Sequence, residues 1–209
     1  MNYGDFKNRV LMLINQYTIA GNEIALSYNN QDDYVLRIPS LLDSCQRYLA
    51  TTTKPIYAEF PLDWADAEEK EGFYIFTMPD DFYQLIGRGI PTMKNGQFKM
   101  YHRYRWMGRK KLVIPCKDKG EMTVHYHRYP VAVPADPADD FQLDNEPDAQ
   151  EAAAYYVAAN LVMYDNAFAY SALYNEFESR RQQMFERPQA EYESVEELYG
   201  NPGDGVYSV

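Results

Sequence analysis

The first stretch of the chain has apolar residues at intervals of three and four, the spacing of one face of an amphipathic helix. This pattern predicts a helix that begins near Asp5 and that Gly21 and Asn22 end. Its core-facing positions are Phe6, Val10, Leu13, Ile14 and Tyr17.

A second helical pattern extends to about residue 50, and Asp32 or Asp33 can cap its start after a polar loop. Pro39 lies inside this pattern. Because proline lacks a backbone N–H and crowds the preceding turn, we predict a kink at Ile38 or two helices that meet there. The inward positions are Tyr34, Ile38, Leu41, Leu42, Cys45, Tyr48 and Leu49.

From about residue 54 to about residue 130 the pattern changes to short aromatic and β-branched runs, which are typical of strands. Turn signals at Met107-Gly108 and at 117–120 separate the last three runs, so we predict that these three form an antiparallel meander. Residues 82–86 fit no class clearly. The predicted strands span residues 55–60, 73–78, 98–106, 112–114 and 122–128.

Two further helices are predicted after a linker rich in proline, alanine and aspartate. Pro147 suits the first turn of one helix, and five alanines keep that helix thin enough for close packing. Leu173, Phe177 and Met184 mark the other helix, which Pro188 ends. The acidic segment 188–209 has little to bury alone, so we expect an extended tail that orders on assembly.

The order of these elements predicts an α+β fold. We expect one domain over residues 1–187, in which helices at about 5–50 and 147–187 form a bundle. An antiparallel β meander is inserted at about 54–130 and projects from the helices, and the extended C-terminal tail occupies 188–209.

Composition points to an assembly rather than to secretion or a membrane. The chain of 209 residues has 20 tyrosines, whose broad rings and polar tips suit surfaces that become buried between subunits. Two cysteines without a nearby second thiol indicate a reduced compartment, and no apolar run is long enough for a bilayer. We therefore expect a soluble protein.

Charge is divided unevenly along the chain. Residues 132–209 hold 16 acidic and 3 basic side chains, a balance of −13, whereas residues 1–131 have a balance of +2. The overall acidity argues against DNA binding by bulk attraction. The asymmetry would let the basic part of one subunit meet the acidic part of a neighbour in a ring.

Candidate catalytic chemistry is sparse. His125 and His127 share one face of a strand and could begin a metal site with His102, although exposed histidines on a basic ribbon fit the pattern better. Gly87-Arg88-Gly89 lacks the rest of a phosphate-binding loop. No nucleophile signature is present, so we expect no catalytic residue, no cofactor, no metal and no enzyme activity.

The basic, aromatic run 99–111 is the most suggestive binding feature. On a continuous strand Lys99, Tyr101, Arg103 and Arg105 would share one cationic face. Three interpretations are open: a DNA-facing patch, a contact for an acidic neighbour, or a solvated hairpin. The predicted interface residues are Arg103, Arg105, Arg109, Lys110 and Lys111, together with Tyr199 and Tyr207 from the tail.

Over about residues 1–187 the order of short segments resembles the head-to-tail connector (adaptor or neck) proteins of tailed bacteriophages. The resemblance rests on the order of six short segments. The segments are residues 33–42 (DYVLRIPSLL), 78–82 (MPDDF), 104–108 (YRWMG), 126–130 (YHRYP), 154–161 (AYYVAANL) and 174–178 (YNEFE).

This resemblance implies a structural virion protein without catalytic residues. Its members form rings, typically of twelve copies, beneath the portal protein, where the ring extends the DNA channel and offers a surface to further neck or tail proteins. Packaged DNA would pass without sequence-specific contacts, and the protein would be made in the bacterial cytoplasm and reside in the virion neck. The alternatives are a nucleic-acid-binding accessory protein that uses the hairpin 99–111 and, less favoured, a metal-dependent enzyme.

Overall fold

The computed structural model describes residues 1–16, 28–94 and 97–186. Within these ranges the chain separates into two compact units. The helical unit consists of residues 1–55 and 130–186, and the β unit consists of residues 56–129. The fold is α+β, with helices in the first unit and antiparallel sheets in the second.

Four helices build the helical unit. α3 packs against each of the other three, and its six alanines are all buried, which allows this close approach. Asn166 accepts a hydrogen bond from the backbone N–H of Ala169 (3.0 Å) and thereby caps the start of α4. The helices are α1 (Tyr3–Gln16), α2 (Tyr28–Thr52), α3 (Pro147–Val162) and α4 (Ala167–Glu186).

The second helix differs from its prediction in two ways. It begins at Tyr28, before either predicted cap, and it continues through Pro39 as one element, which excludes the alternative of two helices, whereas the kink at Ile38 stays a prediction. Ile38 and Leu42, on either side of the proline, are completely buried in the core. Burial of this face stabilises the helix despite the hydrogen bond that proline removes. The predicted end of the first helix at Gly21 and Asn22, and its position Tyr17, lie outside the described residues.

Nine strands build the β unit, and all their pairings are antiparallel. Residues 82–86, which the sequence left ambiguous, contain a strand. The strands are β1 (Ile56–Pro61), β2 (Glu68–Lys70), β3 (Phe73–Thr77), β4 (Phe82–Leu85), β5 (Ile90–Lys94), β6 (Gln97–Tyr101), β7 (Arg105–Met107), β8 (Lys111–Pro115) and β9 (Glu121–Arg128).

These strands form two sheets. One has the order β1-β9-β5-β6, with β4 also paired to β9, and the other has the order β2-β3-β8-β7. A single core that includes Ile90, Leu112, Ile114 and Val124 draws side chains from both sheets. This packing is typical of sheets that each bury one face.

The predicted meander is wrong. Of the three predicted runs, only the second part of the first (β7) pairs with the second (β8), whereas β6 pairs with β5, and β9 pairs with β1, β4 and β5. The predicted strand 98–106 is divided, because residues 102–104 lead from one sheet to the other. The Tyr101 hydroxyl donates to the Arg103 carbonyl oxygen (2.6 Å) and stabilises this break.

Candidate interaction surfaces

The basic residues of the predicted hairpin lie on or beside the β7–β8 turn. Gly108 has a φ of +68°, a conformation that glycine adopts without strain, and it permits the tight turn predicted at this position. Arg105 is on β7, Arg109 and Lys110 are in the turn, and Lys111 begins β8. The cations are therefore close together along one hairpin.

Arg103 lies in the connection between the sheets and is part of a structural network. Its guanidinium is 2.7 Å from Asp118 Oδ1, and the other oxygen of Asp118 accepts a hydrogen bond from the Tyr101 hydroxyl (2.9 Å). Burial and this bond to Asp118 raise the pKa of Tyr101. Arg103 therefore neutralises a largely buried carboxylate and is a poor candidate for a partner contact.

Lys110 is also engaged within the β unit. Its Nζ donates to the backbone oxygen (3.0 Å) and to Oδ1 (2.8 Å) of Asp80. The hydrogen bond from Lys110 lowers the pKa of the Asp80 carboxyl. This pair connects the hairpin to the turn before β4, so Lys110 already has a carboxylate partner within the β unit.

Arg105, Arg109 and Lys111 are exposed and, among the described residues, have no carboxylate within ion-pair distance. Arg105 lies over the ring of Phe73, with 5.0 Å between its guanidinium carbon and the ring centre. The predicted continuous cationic face that included Tyr101 and Arg103 is wrong, because the strand breaks and Tyr101 is buried. Three of the five predicted basic interface residues thus remain available.

A groove beside the hairpin combines Arg109 with aromatic rings. Tyr83 and Tyr129 lie with their ring centres 5.1 Å apart, and Arg109 and Trp106 line the same groove, which has a volume of about 660 Å³. The arrangement places flat apolar surfaces next to positive charge. Such surfaces can stack on planar groups that carry negative charge.

The most exposed large apolar side chains lie in the helical unit. Tyr164 is 84% exposed, Leu36 77% and Phe168 75%. Tyr164 lies in the turn between α3 and α4, and Phe168 is in the first turn of α4. We call these three residues the apolar patch.

The apolar patch is carried by a well-fixed part of the helical unit. The Tyr34 hydroxyl on α2 donates to Asp165 Oδ2 (2.5 Å), and Arg37 donates to the Asn160 carbonyl oxygen (3.4 Å). Burial and the bond to Asp165 raise the pKa of Tyr34 to about 12. Tyr164 also lines a small cleft of about 280 Å³ between α2 and the end of α3.

Sequence reasoning missed the apolar patch. It treated residues 165–169 only as a break between helices. The available signal was a pair of aromatics, Tyr164 and Phe168, on either side of a polar turn, where small or polar residues are usual.

The histidines do not form a metal site. His125 is buried and its Nδ1 hydrogen-bonds to the Tyr57 hydroxyl, with a Glu59 oxygen 3.7 Å away. The prediction that it is exposed is wrong, because His125 packs beside Tyr57 and Glu59 of the neighbouring strand β1. His102 is exposed in the break between the sheets. Within the described ranges no cluster of three or more potential ligands could hold a metal ion.

Tyr199 and Tyr207, which were predicted to contribute to an interface, lie outside the described residues, as does the tail 188–209. No helix within the described part of the chain has both the length and the apolar character needed to cross a bilayer.

Neither the protein-family models nor the curated protein sequences contain a match to this chain.

Proposed function

We propose that this protein is a non-enzymatic structural subunit, a head-to-tail connector of a tailed bacteriophage. In this proposal it forms a ring, typically of twelve copies, below the portal protein, joins the capsid to further neck or tail proteins, and extends the DNA channel. The four helices form the body of each subunit, and the β unit contacts adjacent subunits or the next ring. The tail then orders on assembly.

The apolar patch is the observation that supports assembly most directly. Complete burial of one large apolar side chain contributes about 1.5 to 3 kcal/mol. Large apolar side chains that are this exposed are available for burial against a partner. Tyr164, Leu36 and Phe168 have the character of interface anchors, and aromatic anchors dominate the energy of protein interfaces.

Arg105, Arg109 and Lys111 supply a second, charged surface. The C-terminal part of the chain is strongly acidic, so a neighbouring copy offers a complement to these cations. Virion assembly, the portal as a partner and the copy number come from the resemblance to connector proteins.

The role of the apolar patch in assembly can be tested by measuring the mass of the purified protein in solution. We expect the wild-type chain to form rings visible by negative-stain microscopy, with a matching mass by light scattering. Replacement of both Tyr164 and Phe168 by serine should weaken association by at least about a hundredfold, because two buried aromatic contacts would be lost. Both side chains are highly exposed, so thermal stability should not change.

Met12→Ser is the matched control, because Met12 is 54% exposed on α1 of the same unit and is not part of the apolar patch. It should assemble as the wild type does. A protein that stays monomeric at every concentration, or a double variant that assembles normally, would contradict the proposal.

A nucleic-acid-binding accessory protein is the second candidate, and the groove formed by Tyr83, Tyr129 and Arg109 favours it. A DNA-binding protein of this kind would bind single strands by stacking, with an affinity that falls steeply as salt rises. Fluorescence anisotropy with a labelled oligonucleotide over a salt series measures this directly. If Tyr83→Ala with Arg109→Ala leaves a measured affinity unchanged, the groove is not the binding site.

A further inference from the structure

The sheet β2-β3-β8-β7 has one face in the core and one that points away from it. Tyr74, Phe76, Leu112 and Ile114 belong to the inner face. The strand register places their sequence neighbours on the opposite face, because Ile75 lies across from Val113, and Val113 across from Arg105. We call this opposite face the outer face, and its residues include Phe73, Ile75, Arg105, Met107, Lys111 and Val113.

The outer face has an apolar centre and a mainly cationic edge. Phe73, Ile75 and Val113 line a shallow cavity of about 340 Å³, and Met107 at its border is 52% exposed. The nearby cations are Arg105, Lys111 and Lys70. Two exposed carboxylates, Glu68 and Glu71, lie on the β2 side of the same sheet.

The apolar centre and the cationic edge together determine which kind of ligand can bind to the outer face. An apolar centre between cations fits a peptide that carries both apolar and acidic side chains. Glu68 and Glu71 repel a continuous polyanion, so a nucleic-acid backbone fits this face less well than a peptide whose charges are spaced by apolar residues.

A segment with this composition lies in the same chain, soon after α4 ends at Glu186. Residues 187–209 contain no basic side chain after Arg187, and residues 191–199 read EYESVEELY, with four glutamates among two tyrosines, a valine and a leucine. We infer that the outer face is the docking site for residues 191–199 of this chain. The inference does not depend on ring formation, so it replaces, for residues 191–199, the expectation that the tail orders only on assembly.

The contacts that the docking requires are specific. Apolar side chains of the segment, such as Tyr192 or Leu198, cover Val113 and Met107, and glutamates of the segment meet Lys111 and Arg105. Burial of the apolar side chains provides the main attraction, and the charges select the orientation, since exposed ion pairs alone contribute little.

Zero-length carbodiimide cross-linking of the full-length protein, read by mass spectrometry, tests the inference. This reagent joins amines to carboxylates that are in direct contact. We expect links from Lys111 and Lys70 to glutamates within 191–197, at about ten times the yield of links from Lys117 and Lys99. The latter two lysines are exposed in the β unit but do not lie on the outer face.

Met107→Glu adds a charge at the border of the apolar centre and should reduce the Lys111 and Lys70 links about tenfold. Met12→Glu is the matched control, with almost the same exposure on α1, and should leave the links unchanged. Links that are absent, that are spread evenly over exposed lysines, or that survive Met107→Glu would overturn the docking site. The proposed ring is tested by the mass of the assembled protein instead. The docking site and the ring can therefore be contradicted separately.

Discussion

Two buried glutamines of the helical unit show how differently one residue type can contribute to stability. Gln150, at the start of α3, accepts a hydrogen bond from the N-terminal ammonium group (2.8 Å) and donates to the carbonyl oxygens of Leu143 (3.2 Å) and Asn145 (2.5 Å). Gln46 on α2 is just as buried, yet neither atom of its amide has a hydrogen-bond partner among the described residues. Burial of an unpartnered amide costs about 1 to 3 kcal/mol.

The two glutamines should therefore respond in opposite directions to replacement by methionine, which has a similar volume. We expect Gln46→Met to raise the free energy of unfolding by about 1 kcal/mol, since no hydrogen bond is lost. Gln150→Met should lower it by about 2 kcal/mol, because three bonds are lost and two carbonyl groups lose a partner. Urea denaturation followed by circular dichroism measures both. If the two variants lowered the free energy of unfolding equally, the Gln46 amide would have hydrogen-bond partners in solution, which would contradict the expectation.

For single residues, the sequence predicts which residue types form a surface. It does not show which of these side chains already form ion pairs within the fold. It placed Arg103, Arg105, Arg109, Lys110 and Lys111 on one binding surface. The ion pairs that remove Arg103 and Lys110 from it span 15 and 30 residues along the chain, and pairing at such separations depends on the tertiary fold.

Among the elements, the helices were predicted better than the sheets. Helical patterns are local, so the presence of four helices follows from spacing alone and is confirmed. The alternative of two helices at Pro39 was wrong because a local rule for proline competes with burial of Ile38 and Leu42, and burial depends on the other helices.

The strands themselves were mostly recognised, but their pairing was not. The sequence predicted that β8 and β9 would pair because a turn signal separates them. A short 3-10 turn (Cys116–Asp118) instead carries the chain into the other sheet. Periodicity shows that a segment is extended, whereas its pairing depends on which faces can share a core.

For the whole molecule, the division into two units means that they need not respond alike to acid. All three histidines of the chain, at positions 102, 125 and 127, lie in the β unit. Burial lowers the pKa of both His125 and His127, although the Glu59 carboxylate opposes this effect at His125.

A buried histidine with a lowered pKa stabilises the fold only while it is neutral. In the unfolded chain it takes up a proton near its ordinary pKa of 6.5, so the stability is fully present above that pH and is lost as the pH falls below it towards the folded-state pKa. Aspartate and glutamate titrate mostly below about pH 5. Between about pH 7.5 and pH 5.5 the loss should therefore be confined to the β unit.

Hydrogen exchange read by mass spectrometry at about pH 7.5 and pH 5.5, with rates corrected for the intrinsic pH dependence, tests this expectation. Amides of β9 should lose protection in acid while those of α3 keep theirs. His127→Gln should reduce the loss, because one titrating side chain is removed, and His102→Gln should not, because His102 is exposed. A loss of equal size in α3 would show that the two units unfold together and that burial of the histidines does not determine the response to acid.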